Sequence, residues 1–239
     1  IAPEVYPRMD PIRPPHSELI HTLGTISFLH GLEPTILEEV AAAALWRVYR
    51  PGAPVFWEGE QAAGLYYLCS GWLKVVKSSP EGREQVLRFL GPGETFNEVG
   101  VLADRPNPAT AIALEDATLW LIERAALRRL LLAHPDVALR VLENMADRVT
   151  GLVQLVADLS LHSVEVRLAR FLLDQAQDDE VVRRRWNTQS ELAARLGTVP
   201  DVLSRALRTL SDAGLIAVDR QRIQILNPAA LGQRAQLAL

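Results

Sequence analysis

Residues 188–214 read TQSELAARLGTVPDVLSRALRTLSDAG, and this stretch decides the fold. Thr188-Gln189-Ser190-Glu191 has the form of a capping box. The Thr hydroxyl accepts an amide hydrogen from the first turn, and Glu191 can reach back. Leu192, Ala193 and Leu196 supply an inner face. Gly197 sits where the chain must turn sharply, and Gly tolerates positive φ there. Thr198 or Val199 caps the next helix. Pro200 suits its first turn, because an amide there would have no partner anyway. Leu203, Leu207 and Leu210 fall on one inward side. The spacing therefore predicts two helices, residues 188–196 and 200–213, around Gly197.

Asp201, Ser204, Arg205 and Arg208 are left as an outward stripe at i, i+3, i+4 and i+7. A helix that enters the DNA major groove needs such side chains near its N-terminal end. Arg205 can fork onto guanine O6 and N7, Asp201 can accept from a cytosine amino group, and Ser204 can serve either partner. A plainer reading makes Asp201 a helix-dipole partner that forms a surface pair with Arg205. The capped helix before the stripe and the hairpin after it favour base reading.

The surroundings fit a winged helix-turn-helix over residues 162–239. Residues 164–175 are amphipathic, and Asp178-Asp179-Glu180 is a polar break. Residues 215–218 and 223–226 are apolar runs joined by Asp219-Arg220-Gln221-Arg222. Residues 163–239 carry 11 Arg and 9 acidic residues, a balance of +2, against −6 in the rest of the chain. A basic end on an acidic body suits an anionic partner.

Upstream, Leu142, Met145, Val149, Leu152, Val156 and Leu159 recur at intervals of 3, 4, 3, 4 and 3. This is an a/d seam, and it predicts a dimerisation helix over residues 136–161. A helix packed on its own domain would instead explain Val153 and Leu155. No second helix of equal regularity exists to serve as an internal partner, so the homodimer seam is preferred. From residue 48 to 122 the text turns to short β-type runs: 55–57, 65–69, 73–76, 86–90 and 118–122. Pro51-Gly52, Ser70-Gly71, Glu81-Gly82 and Gly91-Pro92-Gly93 punctuate them. That spacing suggests a jelly roll, placed in a sensing domain of residues 23–135. Helical spacing from residue 17 to 45 precedes it, and residues 1–22 read as a flexible Pro-rich arm. The fold class is α+β.

Composition narrows the function. Apolar residues are 49% and charged ones 23% of 239, close to the globular average. No apolar run approaches the length of a membrane span, and the first 30 residues lack a secretory apolar block. Cys69 is the single cysteine. An internal disulfide and a four-cysteine iron–sulfur cluster are excluded, and a reducing cytoplasm is expected. A cupin-like metalloenzyme needs several His on neighbouring strands. His16, His21, His30, His134 and His162 all lie outside the β region. An effector-binding module without DNA activity is the other alternative.

From about residue 23 to 231 the chain resembles regulators of the Crp/Fnr family. The stretches that carry the resemblance are Glu58-Gly59-Glu60, Leu65-Tyr66-Tyr67-Leu68 with Gly71, Gly91-Pro92-Gly93-Glu94, Glu98, Arg167-Leu168-Ala169 and, above all, residues 188–214. The resemblance implies a cyclic-nucleotide-binding-type β-roll, a long dimerisation helix and a winged helix-turn-helix. It implies a homodimeric regulator that binds two half-sites in double-stranded DNA, of TTGA type, and engages RNA polymerase. The family's acid-x-x-Ser-Arg triad maps onto Asp201, Ser204 and Arg205, with Asp for the commoner and longer Glu. Thr188, Gln189, Thr198 and Arg208 complete the expected DNA contacts.

The family's cyclic-AMP pocket uses a Gly-Glu pair and, about ten residues on, an Arg-Ser pair whose Arg neutralises the phosphate. Here Asn97 precedes Glu98, and Asn107-Pro108 stand in the place of Arg-Ser. Arg105 comes two residues early, and Thr110 follows. A desolvated phosphate without its counter-charge is poorly held. An effector other than, or in addition to, cyclic AMP is therefore expected. Some relatives bind haem through His or Cys. Cys69 lies in an apolar run and reads as core.

Overall fold

The computed structural model describes residues 13–26 and 28–236. The chain divides into two compact units, one of residues up to 75 and 89–146, the other of residues 76–88 and 147–239. The elements run α1 (His16–Leu23), α2 (Pro34–Ala42), β1 (Ala44–Tyr49), β2 (Pro54–Phe56), β3 (Gly64–Ser70), β4 (Leu73–Ser78), β5 (Glu84–Leu90), β6 (Thr95–Phe96), α3 (Glu98–Ala103), β7 (Thr110–Ala113), β8 (Ala117–Glu123), α4 (Arg124–Ala133) and α5 (Pro135–Leu161). Then come α6 (Val164–Gln175), β9 (Glu180–Val182), α7 (Gln189–Arg195), α8 (Pro200–Asp212), β10 (Ile216–Val218), β11 (Arg222–Ile225) and α9 (Pro228–Gln236).

Two four-stranded sheets form the β-roll, in the orders β1-β8-β3-β6 and β2-β7-β4-β5. β8 lies between β1 and β3, and every residue from Ala117 to Ile122 is buried. A strand covered on both faces needs a near-continuous apolar run, and this one is broken only by Thr118, whose hydroxyl bonds with that of Ser70 at 2.6 Å. Leu68, Leu73, Leu90, Phe96 and Leu119 fill the interior, where the Tyr66 and Phe96 rings stack with centroids 5.1 Å apart. A second core lies around α1, α2 and α4, where Leu19, Leu23, Leu127 and Leu130 join Tyr67, Trp120 and Ile122.

Part of the stretch read as a flexible arm, residues 1–22, is helical. Residues 1–12 lie outside the described residues. α1 falls inside the arm's bounds, and Leu19 and Leu23 are fully buried. Their apolar side chains have a core to enter, so this segment is part of the domain. β1 likewise replaces the end of the expected N-terminal helix.

In the second unit, α6, α7 and α8 pack through Leu168, Leu172, Leu192, Leu196, Leu203, Leu207 and Leu210. The wing is a three-stranded sheet in the order β10-β11-β9, one strand more than the terminal hairpin. Asp178 and Asp179 have φ of 52° and 60°, so the polar break is a tight left-handed turn into β9. α9 is an addition. Asn227 caps it by accepting from the Ala230 amide at 3.0 Å, and Leu231 is buried. Arg170 on α6 donates to Asp158 Oδ1 at 2.6 Å and to the Ala235 carbonyl at 3.0 Å. One guanidinium thereby ties the end of α5 to α6 and α9.

Candidate nucleic-acid interface and effector pocket

The helix pair forms as its chemistry requires. Thr188 Oγ1 accepts from the Glu191 amide at 3.2 Å, which satisfies one of the open donors of α7. Gly197 turns the chain with φ of 61°. Val199 takes the N-cap position of α8 without a side-chain bond, and Pro200 opens the helix. Thr198 is not the cap. Its amide donates to the Ala193 carbonyl at 2.9 Å and closes the turn.

On α8, Leu203, Ala206, Leu207 and Leu210 are buried, while Asp201, Arg205 and Arg208 are exposed. No ion pair joins Asp201 to Arg205 among the described residues. The surface pair that offered the plainer account of these two residues is not made, and both side chains face solvent. Ser204 is half-buried. Its hydroxyl donates to the Pro200 carbonyl at 2.8 Å and lies 3.4 Å from Gln189 Oε1. Gln189 and Ser204 thus link the first turn of α7 to the outward stripe, with Thr188 and Gln189 exposed beside it.

The residues expected to form the effector pocket separate into two groups. Asn107 is 3% exposed. Its Nδ2 donates to the Trp57 carbonyl at 3.2 Å, and its amide donates to the Glu60 carbonyl at 2.8 Å. Thr110 Oγ1 accepts from the Glu58 amide at 3.0 Å. Asn97, at φ of 76°, precedes α3, and its Nδ2 donates to the Gly64 carbonyl at 3.1 Å. The Oδ1 atoms of Asn97 and Asn107 are both buried, neither accepts a hydrogen bond, and both would lie 3.2 Å from a Cβ at Gly100. Glu98, next to Asn97 in the chain, is buried. Arg105 is exposed, while Asn107 holds the inner position. Arg105 is therefore not gathered with the rest. At this point the chain presents amide oxygens, which are acceptors only.

Along α5, Leu142, Val149, Leu152 and Val156 are 63%, 55%, 50% and 63% exposed. Met145 instead packs on the core around α1 and α2, and Leu159 is half-buried near Gly197. The seam is thus four exposed apolar side chains with an inward-packed residue at each of the other two positions. Cys69 packs against the same core as Met145, and burial pushes its thiol up to about 12. The thiolate that a soft metal or an oxidant needs is disfavoured there. No helix among the described residues is long and apolar enough to cross a membrane.

A cyclic nucleotide-binding domain model matches residues 46–134, and a Crp-like helix-turn-helix domain model matches residues 166–234. The chain is 34% identical over 173 residues to a probable transcriptional regulator, flp, of Lacticaseibacillus casei, covering 70% of this chain and 77% of the relative. It is 28% identical over 225 residues to a CRP-like cAMP-activated global transcriptional regulator of Mycobacterium tuberculosis, covering 90% and 98%. The structure of FixK2 from Bradyrhizobium japonicum shares the fold, with a TM-score of 0.72 at 22% identity, over 80% of this chain and 96% of that one. With the β-roll, the long helix, the capped helix pair and the wing in this order, the chain belongs to the Crp/Fnr family of DNA-binding transcription regulators.

Proposed function

We propose that the protein acts as a homodimer whose two α8 helices read two half-sites about one DNA turn apart, roughly 10 base pairs. The observation that carries this is the outward stripe of α8, where Asp201 and Arg205 stand exposed without pairing to each other. Arg205 addresses a guanine, with Asp201 and Ser204 on adjacent bases of a TTGA-type half-site. Thr188, Gln189, Thr198 and Arg208 hold the phosphate backbone. The exposed row Leu142, Val149, Leu152 and Val156 supports pairing of two α5 helices, since large apolar side chains at helical spacing gain most by facing a copy of themselves. RNA polymerase is the partner in regulation.

The sensing domain answers to a ligand other than, or in addition to, cyclic AMP. The Mycobacterium tuberculosis relative is named for activation by cAMP. In this chain Asn107 stands in the place of the Arg that would neutralise the phosphate, and its buried Oδ1 is an acceptor. Selection of random double-stranded DNA by the intact protein tests the main reading. Enrichment of two copies of one motif, about one turn apart, is expected. A pool that stays unenriched would contradict it.

A further inference from the structure

We propose that Arg170 is a specificity-determining residue: by bonding Asp158 it fixes the angle between α5 and α6, and thereby the spacing of the two DNA half-sites that the protein accepts. This rests on the reading of α5 as the dimer contact and of α8 as the base-reading helix.

The helix that pairs and the helix that reads lie in one compact unit, which includes residues 147–239. Val149, Leu152 and Val156 stand on its part of α5. α8 is fixed to α6, since Leu168 and Leu172 share one core with Leu203, Leu207 and Leu210. Between α5 and α6 come only His162 and Ser163. The His162 amide donates to the Asp158 carbonyl at 3.2 Å. Ser163, in extended backbone, caps α6 by accepting from the Val166 amide at 3.4 Å. Each helix is therefore complete in itself, and a two-residue joint leaves the angle between them to side chains.

Arg170 is the side chain that sets it. Its Nη1 donates to Asp158 Oδ1 at 2.6 Å. Among the described residues this is the one ion pair between α5 and α6. Both side chains are mostly buried, where a charge-assisted bond keeps its geometry better than at an exposed site. Gln154 Nε2 donates to the same carboxylate oxygen at 2.9 Å and orients it. On its other side Arg170 Nε donates to the Ala235 carbonyl of α9 at 3.0 Å. α9 is itself seated by the buried Leu231 and Ala235. The guanidinium is thus gripped from two sides.

Its place along α6 matters as much as its bonds. Arg170 comes seven residues after Ser163, about 10 Å along the helix from the joint. Arg167 also crosses the joint, donating from Nη1 to the Leu159 carbonyl at 3.1 Å. It stands only about 6 Å from the joint, so the same slack there permits nearly twice the tilt. One base pair moves a half-site by about 3.4 Å and turns it by about 35°. A reading unit that tilts freely accepts neighbouring spacings, and one held at Arg170 does not.

The test runs the intact parent, Arg170→Gln, Asp158→Asn and the double variant through selection on random double-stranded DNA. Binding is then measured to the enriched paired site and to a duplex with a single half-site. The parent should enrich one centre-to-centre spacing. Each single variant should keep the base preferences and the affinity for a single half-site, yet enrich spacings on either side of the parent's. It should bind the paired site about 10-fold more weakly, because a looser joint lowers the effective concentration of the second half-site. The double variant should be no broader than either single one, since both ends belong to one bond. A double variant broader than both singles overturns the proposal. So does equal weakening on paired and single half-sites with one spacing retained, which is what a merely structural role would give. Variants that keep the parent's spacing and affinity overturn the role of Arg170 and leave the reading of α5 and α8 standing. A parent that enriches half-sites without a fixed spacing overturns that reading, and the proposal with it.

Discussion

Leu159, near the end of α5, lies against Gly197, the turn between α7 and α8: a Cβ at Gly197 would fall 2.4 Å from Leu159 Cδ2. The glycine is required twice over, by this approach and by its φ of 61°. Gly197→Ala should cost about 1–2 kcal/mol from the left-handed backbone alone, and more from the contact. Thermal unfolding at a fixed protein concentration measures it. Leu159→Ala in the Gly197→Ala background should recover the contact part and leave the backbone part. Additive losses in the double variant would show that the two residues do not press on each other.

The wing turn has a pH signature. The amides of Gln221 and Arg222 hold the Asp219 carboxyl below its ordinary range. A depressed folded pKa means that the bond's contribution is complete above the unfolded value, about 3.9, and is lost as pH falls through the folded value. Amide protection of Gln221 and Arg222, corrected for intrinsic exchange, should stay level from about pH 7 to about pH 4 and fall only below. A decline that begins near about pH 6 would place another group in control.

Val149→Glu/Leu152→Glu puts four carboxylates into a seam of two helices. Sedimentation should find monomers. Operator binding should weaken by about 100-fold or more, because the second half-site contact is no longer intramolecular. An intact dimer would remove α5 from the interface.

Calorimetric titration with cyclic AMP should show no binding at micromolar levels, since Asn107 supplies no counter-charge and Arg105 points to solvent. A one-to-one micromolar isotherm would contradict this.

The DNA-binding unit was the more legible part. α6, α7, α8 and the β10–β11 hairpin fall within a residue or two of the sequence reading, because caps, Gly197, Pro200 and a strong apolar period all agree there. Elsewhere local signals were weak or misleading. β1 begins within the helix-favouring run Ala41-Ala42-Ala43-Ala44, so its first residues read as a continuation of the preceding helix. β6 and β7 are only two and four residues long and form because neighbouring strands offer partners. α9 has a readable start, Asn227 followed by Pro228, but no strong apolar period after it. Pro14 and Pro15 suggested a loose arm but stand at the start of α1, where proline is tolerated. The pairing of β9 with β11 was hidden for another reason. Residues 183–185 and 219–222 meet only through strand pairing, which no local pattern announces.

The most direct measurement is a random-DNA selection run in parallel on the parent, Arg205→Ala and Arg208→Ala. Both arginines are exposed on α8, three positions apart. Loss of a forked guanine contact costs about 1–3 kcal/mol per half-site and erases preference at one base. Loss of a phosphate contact weakens all sequences alike and lowers the salt slope by about 0.9 for each half-site. Arg205→Ala should therefore relax one position in each half-site, while Arg208→Ala keeps every preference and binds more weakly. If Arg205→Ala retains the parent's base preferences at every position, α8 does not read DNA through Arg205.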